Sequence, residues 1–155
     1  MNSKSLVSIA ATAVLMCIAV GVVYLIGCNI EQAHWVKGIK LAEWQSIYLK
    51  VLSITGFLVF LSNLIWVVRS STANPFDSAG HVDMRPTWLL LTMLAIAESI
   101  GVPLIMNAMD FIPHLYFLNI VIGAVVFVLV YYVCSIFGSA ENFKFAPIGA
   151  GIIRK

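Results

Sequence analysis

The chain has 155 residues, of which 61% are hydrophobic and only 10% charged, with a net charge of +2. So few charges cannot cover the surface of a water-soluble fold of this length, which excludes an ordinary soluble domain. The positive excess is too small and too scattered for nucleic acid or a polybasic lipid patch, so neither is expected as a partner.

The uncharged runs are Leu6 to Asn29, Val51 to Val68, Pro86 to Met109 (broken only by Glu98) and Phe111 to Ala140. Each approaches or exceeds the roughly 20 residues that a helix needs to cross about 30 Å of hydrocarbon. Backbone groups in hydrocarbon must be satisfied within a helix or a closed barrel, and runs of this length without alternation are not barrel strands. The expectation is an all-α integral membrane protein forming one domain, a four-transmembrane-helix antiparallel bundle with spans of about 6–27, 51–68, 86–109 and 115–137.

The first span carries small residues at Ala10, Ala13, Cys17 and Gly21, spaced three to four apart on one face, where a neighbouring helix can approach closely. It ends in Leu25-Ile26-Gly27-Cys28, a four-residue pattern resembling a lipobox. An apolar stretch of about 22 residues exceeds a usual signal core, so the segment is read as a retained span.

Residues 29–50 carry Trp35, Trp44 and Tyr48 among lysines, and amphipathic rings of this kind belong at the headgroup level. They predict a short interfacial helix before the second span, with Trp35 and Trp44 available for anchoring or for docking a partner.

The second span holds Ser53, Thr55, Ser62 and Asn63, with Trp66 near its inner boundary and Arg69 closing it. Asn63 is expected to face another helix, where its amide finds partners. Residues 70–85 are rich in turn formers, and Asp77, His81 and Asp83 there match no metal-ligand spacing; they read as a polar surface for a soluble partner.

The third span starts with Pro86, a favoured first-turn residue, and Trp88. The connection after it is very short, which makes the third and fourth helices antiparallel neighbours. The fourth offers Asn119 near its outer end and Gly123 as a close-approach point. No internal repeat is visible, which argues against an inverted-repeat transporter.

Six basic residues (Lys4, Arg69, Arg85, Lys144, Arg154, Lys155) fall on the side of the termini and three (Lys37, Lys40, Lys50) on the other. That asymmetry places both termini in the cytoplasm, in an inner or plasma membrane.

Glu98 is the exception to the apolar third span. It lies thirteen residues from Arg85, about 20 Å along a helix and near the middle of the bilayer, level with Cys17, Thr55 and Val125 by the same count. No Lys, Arg or His lies deep in any span, so an isolated Glu98 is expected to hold its proton at pH 7. Its expected partners are Thr55 and the Ser99 carbonyl, which Pro103 leaves without its helical donor; Gly101 between them eases close approach.

Three roles follow for the site formed by Glu98, Ser99, Thr55 and Pro103: a neutral acid clamping helices together, a contact to another protomer or subunit, or a titrating carrier of protons or cations. The stretch AIAESIGVPLIM, residues 95 to 106, resembles the first helix of the small multidrug resistance exporters. The resemblance covers about a dozen residues and implies a membrane glutamate exchanging protons for cationic drugs, although here the glutamate is on the third span. Size and span count also match the microsomal glutathione transferase group, without its Arg- and Asn-rich active-site motif.

No nucleophile and base pair, haem-spaced histidines or glycine-rich phosphate loop is present, so neither an enzyme nor a cofactor is expected. The reading is a non-catalytic membrane subunit that assembles with itself or with other membrane subunits. The alternatives are a small proton-coupled transporter or channel component using Glu98, and a sensor signalling through the 70–85 loop.

Overall fold

The computed structural model describes residues 3–33, 41–72, 85–112, 115 and 117–138. They form four helices: α1 (Ser3–Ala33), α2 (Leu41–Thr72), α3 (Arg85–Ala108) and α4 (Phe117–Gly138). Each packs on its sequence neighbour, α4 closes onto α1, and α2 also meets α4 across the short diagonal. This leaves α1 and α3 at the far corners.

The distribution of side chains is the reverse of that in a soluble bundle. Leu90, Phe117 and Phe137 are each about 70% exposed, and the outer faces of the four helices are mostly apolar, with exposed polar and charged residues such as Asn29, Glu43, Lys50 and Arg69 near helix ends and Ser53 within the second span. Thr12, Thr55, Ser62, Asn63, Ser99, Asn119 and Ser135 are buried. Water would not tolerate such a largely apolar exterior, whereas hydrocarbon does, and most of the hydroxyls and amides avoid it by turning inward. Every helix is long and apolar enough to cross a membrane, over Leu6–Ile30, Leu41–Ser70, Pro86–Ala108 and Phe117–Phe137. The chain is a multi-pass membrane protein.

The core follows the α1 stripe Thr12, Met16, Ala19, Val23 and Gly27, which faces Leu52, Val59 and Trp66 of α2 and Phe127 and Tyr131 of α4. Ala10, Ala13, Cys17 and Gly21 therefore do not form the face that packs within this chain. Ala10 and Cys17 are exposed, and a Cβ on Gly21 would meet nothing within 4 Å. Successive residues are about 100° apart around a helix, so turning Met16 inward turns Cys17 away. The bundle interior must be filled to organic-crystal density, and Met16 and Val23 supply volume that the small residues lack.

The close approaches lie elsewhere. A Cβ on Gly27 would come within 2.5 Å of the Tyr48 ring, and one on Gly56 within 2.8 Å of Val20. At Gly123 the nearest atom would be Val23 at 3.6 Å, an ordinary contact, and around Gly101 there is open space.

The region before the second span also differs from expectation. Residues 41–50 are the first turns of α2 itself, and 29–33 are the last turn of α1, so neither belongs to a separate interfacial helix. Trp44 is 1% exposed, stacked on Tyr48 with centroids 4.8 Å apart, and Tyr48 stacks on Tyr24 of α1 at 6.3 Å. Because Gly27 lets α2 approach α1 at this point, the rings gain more by covering each other than by lying at the headgroups. Trp44 is thus turned away from any docking surface; Trp35 lies outside the described residues.

The α3–α4 connection is set by a helix cap. The Phe111 amide donates to the Met106 carbonyl at 3.0 Å and the Asp110 amide to that of Asn107 at 3.1 Å. Asp110 takes the left-handed conformation, φ 57°, that this cap requires. The Asn107 side chain then accepts from the Leu115 amide at 3.4 Å, tying the turn to the start of α4.

Candidate functional site

A column of polar groups runs through the α2–α3–α4 junction. At the end of the bundle holding the α3 start and the α4 finish, the Trp88 indole donates to the Ser135 hydroxyl at 3.0 Å and the Trp66 indole to the Ser135 carbonyl at 3.1 Å. Both tryptophans sit near helix ends, where aromatic anchors are expected, yet both are buried because Ser135 gives their N–H groups acceptors inside. One turn deeper, the Thr92 hydroxyl donates to the Trp88 carbonyl at 2.8 Å.

Beyond Thr92 the column reaches Tyr131 and Glu98. The Tyr131 side chain is fully buried, and its hydroxyl lies towards Thr92 without a well-formed hydrogen bond. Glu98 is half-buried, and Ser62 of α2 donates to both its oxygens, at 3.1 and 3.3 Å. A side branch joins α1: the Thr12 hydroxyl, which donates to the Ser8 carbonyl of its own helix at 2.8 Å, reaches the Asn63 side-chain oxygen at 3.4 Å as a second, weaker acceptor, and the Asn63 amide donates to the Tyr131 carbonyl at 3.3 Å. Asn63 thus bridges three helices, and each such bond between spans contributes on average about 0.6 kcal/mol.

The partner of Glu98 is therefore not Thr55. Thr55 is buried, but its hydroxyl donates to the Val51 carbonyl of its own helix at 2.9 Å. Ser62 lies seven residues further along, on the same face and about 10 Å deeper towards the α2 end. Counting depth from Arg69 treats the helix ends as flush, whereas α2 continues to Thr72 and the helices differ in length, from 22 to 32 residues.

Ser99 and Pro103 are buried beside Glu98 in sequence, and the Ser99 hydroxyl donates to the Ile96 carbonyl of its own helix at 3.0 Å. α3 runs on through Pro103 to Ala108. Asp77, His81 and Asp83 lie outside the described residues, as does most of the 70–85 loop. None of the three cysteines is in a disulfide: Cys17 is exposed, Cys28 half-buried and Cys134 buried.

Ser62, Thr92, Tyr131 and Ser135 are the site residues that reasoning from sequence did not single out. Hydroxyls are common in spans, and only the depth and rotation of each helix select these from Ser53, Thr87 or Tyr132. The one available signal is that Ser62 lies next to Asn63, so that two neighbouring positions of α2 could reach opposite sides of it.

No protein-family model, no curated protein and no solved structure matches this chain.

Proposed function

We propose that the protein is a non-catalytic membrane subunit that assembles in the plane of the membrane, first of all with a second copy of itself through α1. The observation that carries this reading is the outward turn of Ala10, Ala13, Cys17 and Gly21. Large side chains cover lipid-facing surface well, whereas a row of small ones forfeits dispersion contacts unless another backbone comes close. The row lies on a corner helix with nothing of its own chain against Gly21. On this reading the membrane is an inner or plasma membrane with both termini cytoplasmic, supported by the six-to-three distribution of basic residues.

The test uses the native thiol on that stripe. Mild oxidation of membranes should link two copies through Cys17, Cys17→Ser should abolish the link, and native electrophoresis in mild detergent should give a dimer or larger. A strictly monomeric band with no Cys17 cross-link would rule the reading out.

The polar column favours a second reading, a small proton-coupled transporter or channel component using Glu98. Glu98→Gln keeps an acceptor for Ser62 but cannot exchange a proton. Unchanged flux and unchanged pH response in that variant would eliminate it.

A further inference from the structure

Glu98 lies thirteen residues from one end of α3 and ten from the other, about 20 and 15 Å from them, so neither helix end can bring it to water. Among the described residues its one hydrogen-bond partner is Ser62, which meets it from the α2 side. A carboxylate has about four lone-pair sites on its two oxygens, and a single hydroxyl leaves most of them unused.

The rest of the carboxyl looks out of the bundle. Glu98 is half-buried, and Leu94 and Ile105, which share its side of α3 at helical spacing, are both exposed. Gly101 belongs to the same row, and a Cβ there would meet nothing within 4 Å. The bundle thus leaves a notch over Gly101 with an acidic group at its edge, and the notch opens on hydrocarbon. Lipid tails have no donors, so, short of taking a proton, the carboxyl can be met only by a group that another chain carries in.

Charge decides what that chain must carry. The basic residues within the four spans are Lys50 and Arg69, twelve and seven residues from Ser62 along α2, or about 18 and 10 Å from its depth. A second copy crossing the membrane in the same direction presents them at those same depths and brings another carboxyl opposite Glu98. A helix of a different protein with one Lys or Arg near its middle fits instead. Its cationic head has several donors for the unused lone pairs, and two groups that are each costly alone in hydrocarbon neutralise one another.

We propose that the α3 face formed by Leu94, Glu98, Gly101 and Ile105 is a docking surface for a transmembrane helix of another protein that carries a single lysine or arginine at mid-depth. Glu98 provides the opposite charge, Gly101 lets the incoming backbone come close, and Leu94 and Ile105 pack to either side of it. Docking here rests on the reading of the protein as an assembling subunit, but α3 is at the far corner from α1. Cross-linking through Cys17 reports on the α1 contact alone, so failure of one interface is distinguishable from failure of the other.

The experiment measures energy transfer in phosphatidylcholine vesicles near neutral pH. The full-length protein carries a donor at its amino terminus, and synthetic acceptor-labelled helices of leucine and alanine differ at one central residue, Lys, Gln or Leu. The Lys helix should associate about tenfold more tightly than the Leu helix, and more tightly than the Gln helix. Glu98→Gln should abolish that advantage. Gly101→Leu keeps the carboxyl but fills the notch, and should weaken association of the Lys helix severalfold; either variant suffices if the other does not fold. Equal association of the Lys and Leu helices overturns the proposal and leaves the face to lipid. It is equally overturned by a Gln helix that binds as tightly as the Lys helix, or by a Lys advantage that survives in both folded variants. Transfer between donor- and acceptor-labelled copies of the protein that Glu98→Gln removes would assign the face to a second copy and overturn it too.

Discussion

Ser62 and Glu98 join α2 to α3 through one hydroxyl shared between two carboxylate oxygens, at 3.1 and 3.3 Å. The bond lies in the interior half of two spans, where no water competes, and it is the only hydrogen bond that ties Glu98 to the rest of the bundle among the described residues. Ser62→Ala should therefore lower stability by about 1 kcal/mol, towards the upper end for bonds between spans. Glu98→Gln should cost less, because the amide oxygen still accepts from Ser62. Thermal unfolding in detergent measures both, and a larger loss for Glu98→Gln than for Ser62→Ala would contradict the geometry.

The glycines of α1 make opposite predictions. Gly27→Ala puts a methyl 2.5 Å from the Tyr48 ring and should cost about 1–3 kcal/mol through overpacking, visible as a lower melting temperature. Gly21→Ala meets open space and should leave the melting temperature of the single chain unchanged or slightly raised, since Ala is also the better helix former. Gly21→Leu should fold equally well but weaken any dimer built on the α1 stripe, which native electrophoresis would reveal.

Asp110 holds a left-handed backbone at φ 57° in the cap of α3. Asp110→Gly should stabilise the protein by up to about 1 kcal/mol, because glycine adopts that conformation freely, whereas Asp110→Ala should destabilise it. Comparison of the two melting temperatures decides the point. Equal values would mean that the conformation carries no strain.

Ser135 serves two tryptophans by different atoms, and substitution separates them. Ser135→Ala removes the hydroxyl that accepts from Trp88 but keeps the carbonyl that accepts from Trp66. A buried indole N–H left without an acceptor costs about 1–3 kcal/mol, so the variant should lose that much stability. Trp88→Phe in the same background should recover most of it, since it removes the orphaned donor. Failure of the double variant to recover would show that the hydroxyl acts through some other contact.

How much was legible in advance depended on whether one helix or two were needed to read it. Length and hydropathy suffice to place all four spans, because a helix in hydrocarbon satisfies its own backbone and needs only an apolar run of the right length. Glu98 stood out for the same reason, being a lone charge within such a run. The rotation of α1 was not legible: Ala10, Ala13, Cys17 and Gly21 and the stripe through Met16 and Val23 are both acceptable faces, and only the space left between α2 and α4 chooses between them. Trp44 misled because an aromatic near a boundary serves equally well at the headgroups or against another ring, and Gly27, on the preceding helix, decides which.

The amino-acid sequence by itself determined the solvent, the number of crossings and the presence of one acidic group at mid-depth, all of which follow from the free energy of single side chains in hydrocarbon. Only the tertiary structure decided that Ser62 rather than Thr55 meets that acid, and that the small-residue face of α1 looks outward. Those outcomes depend on the relative height and rotation of helices that touch. They are settled by packing volume and by the pairing of buried hydroxyls, indoles and amides across helices, which no single segment contains.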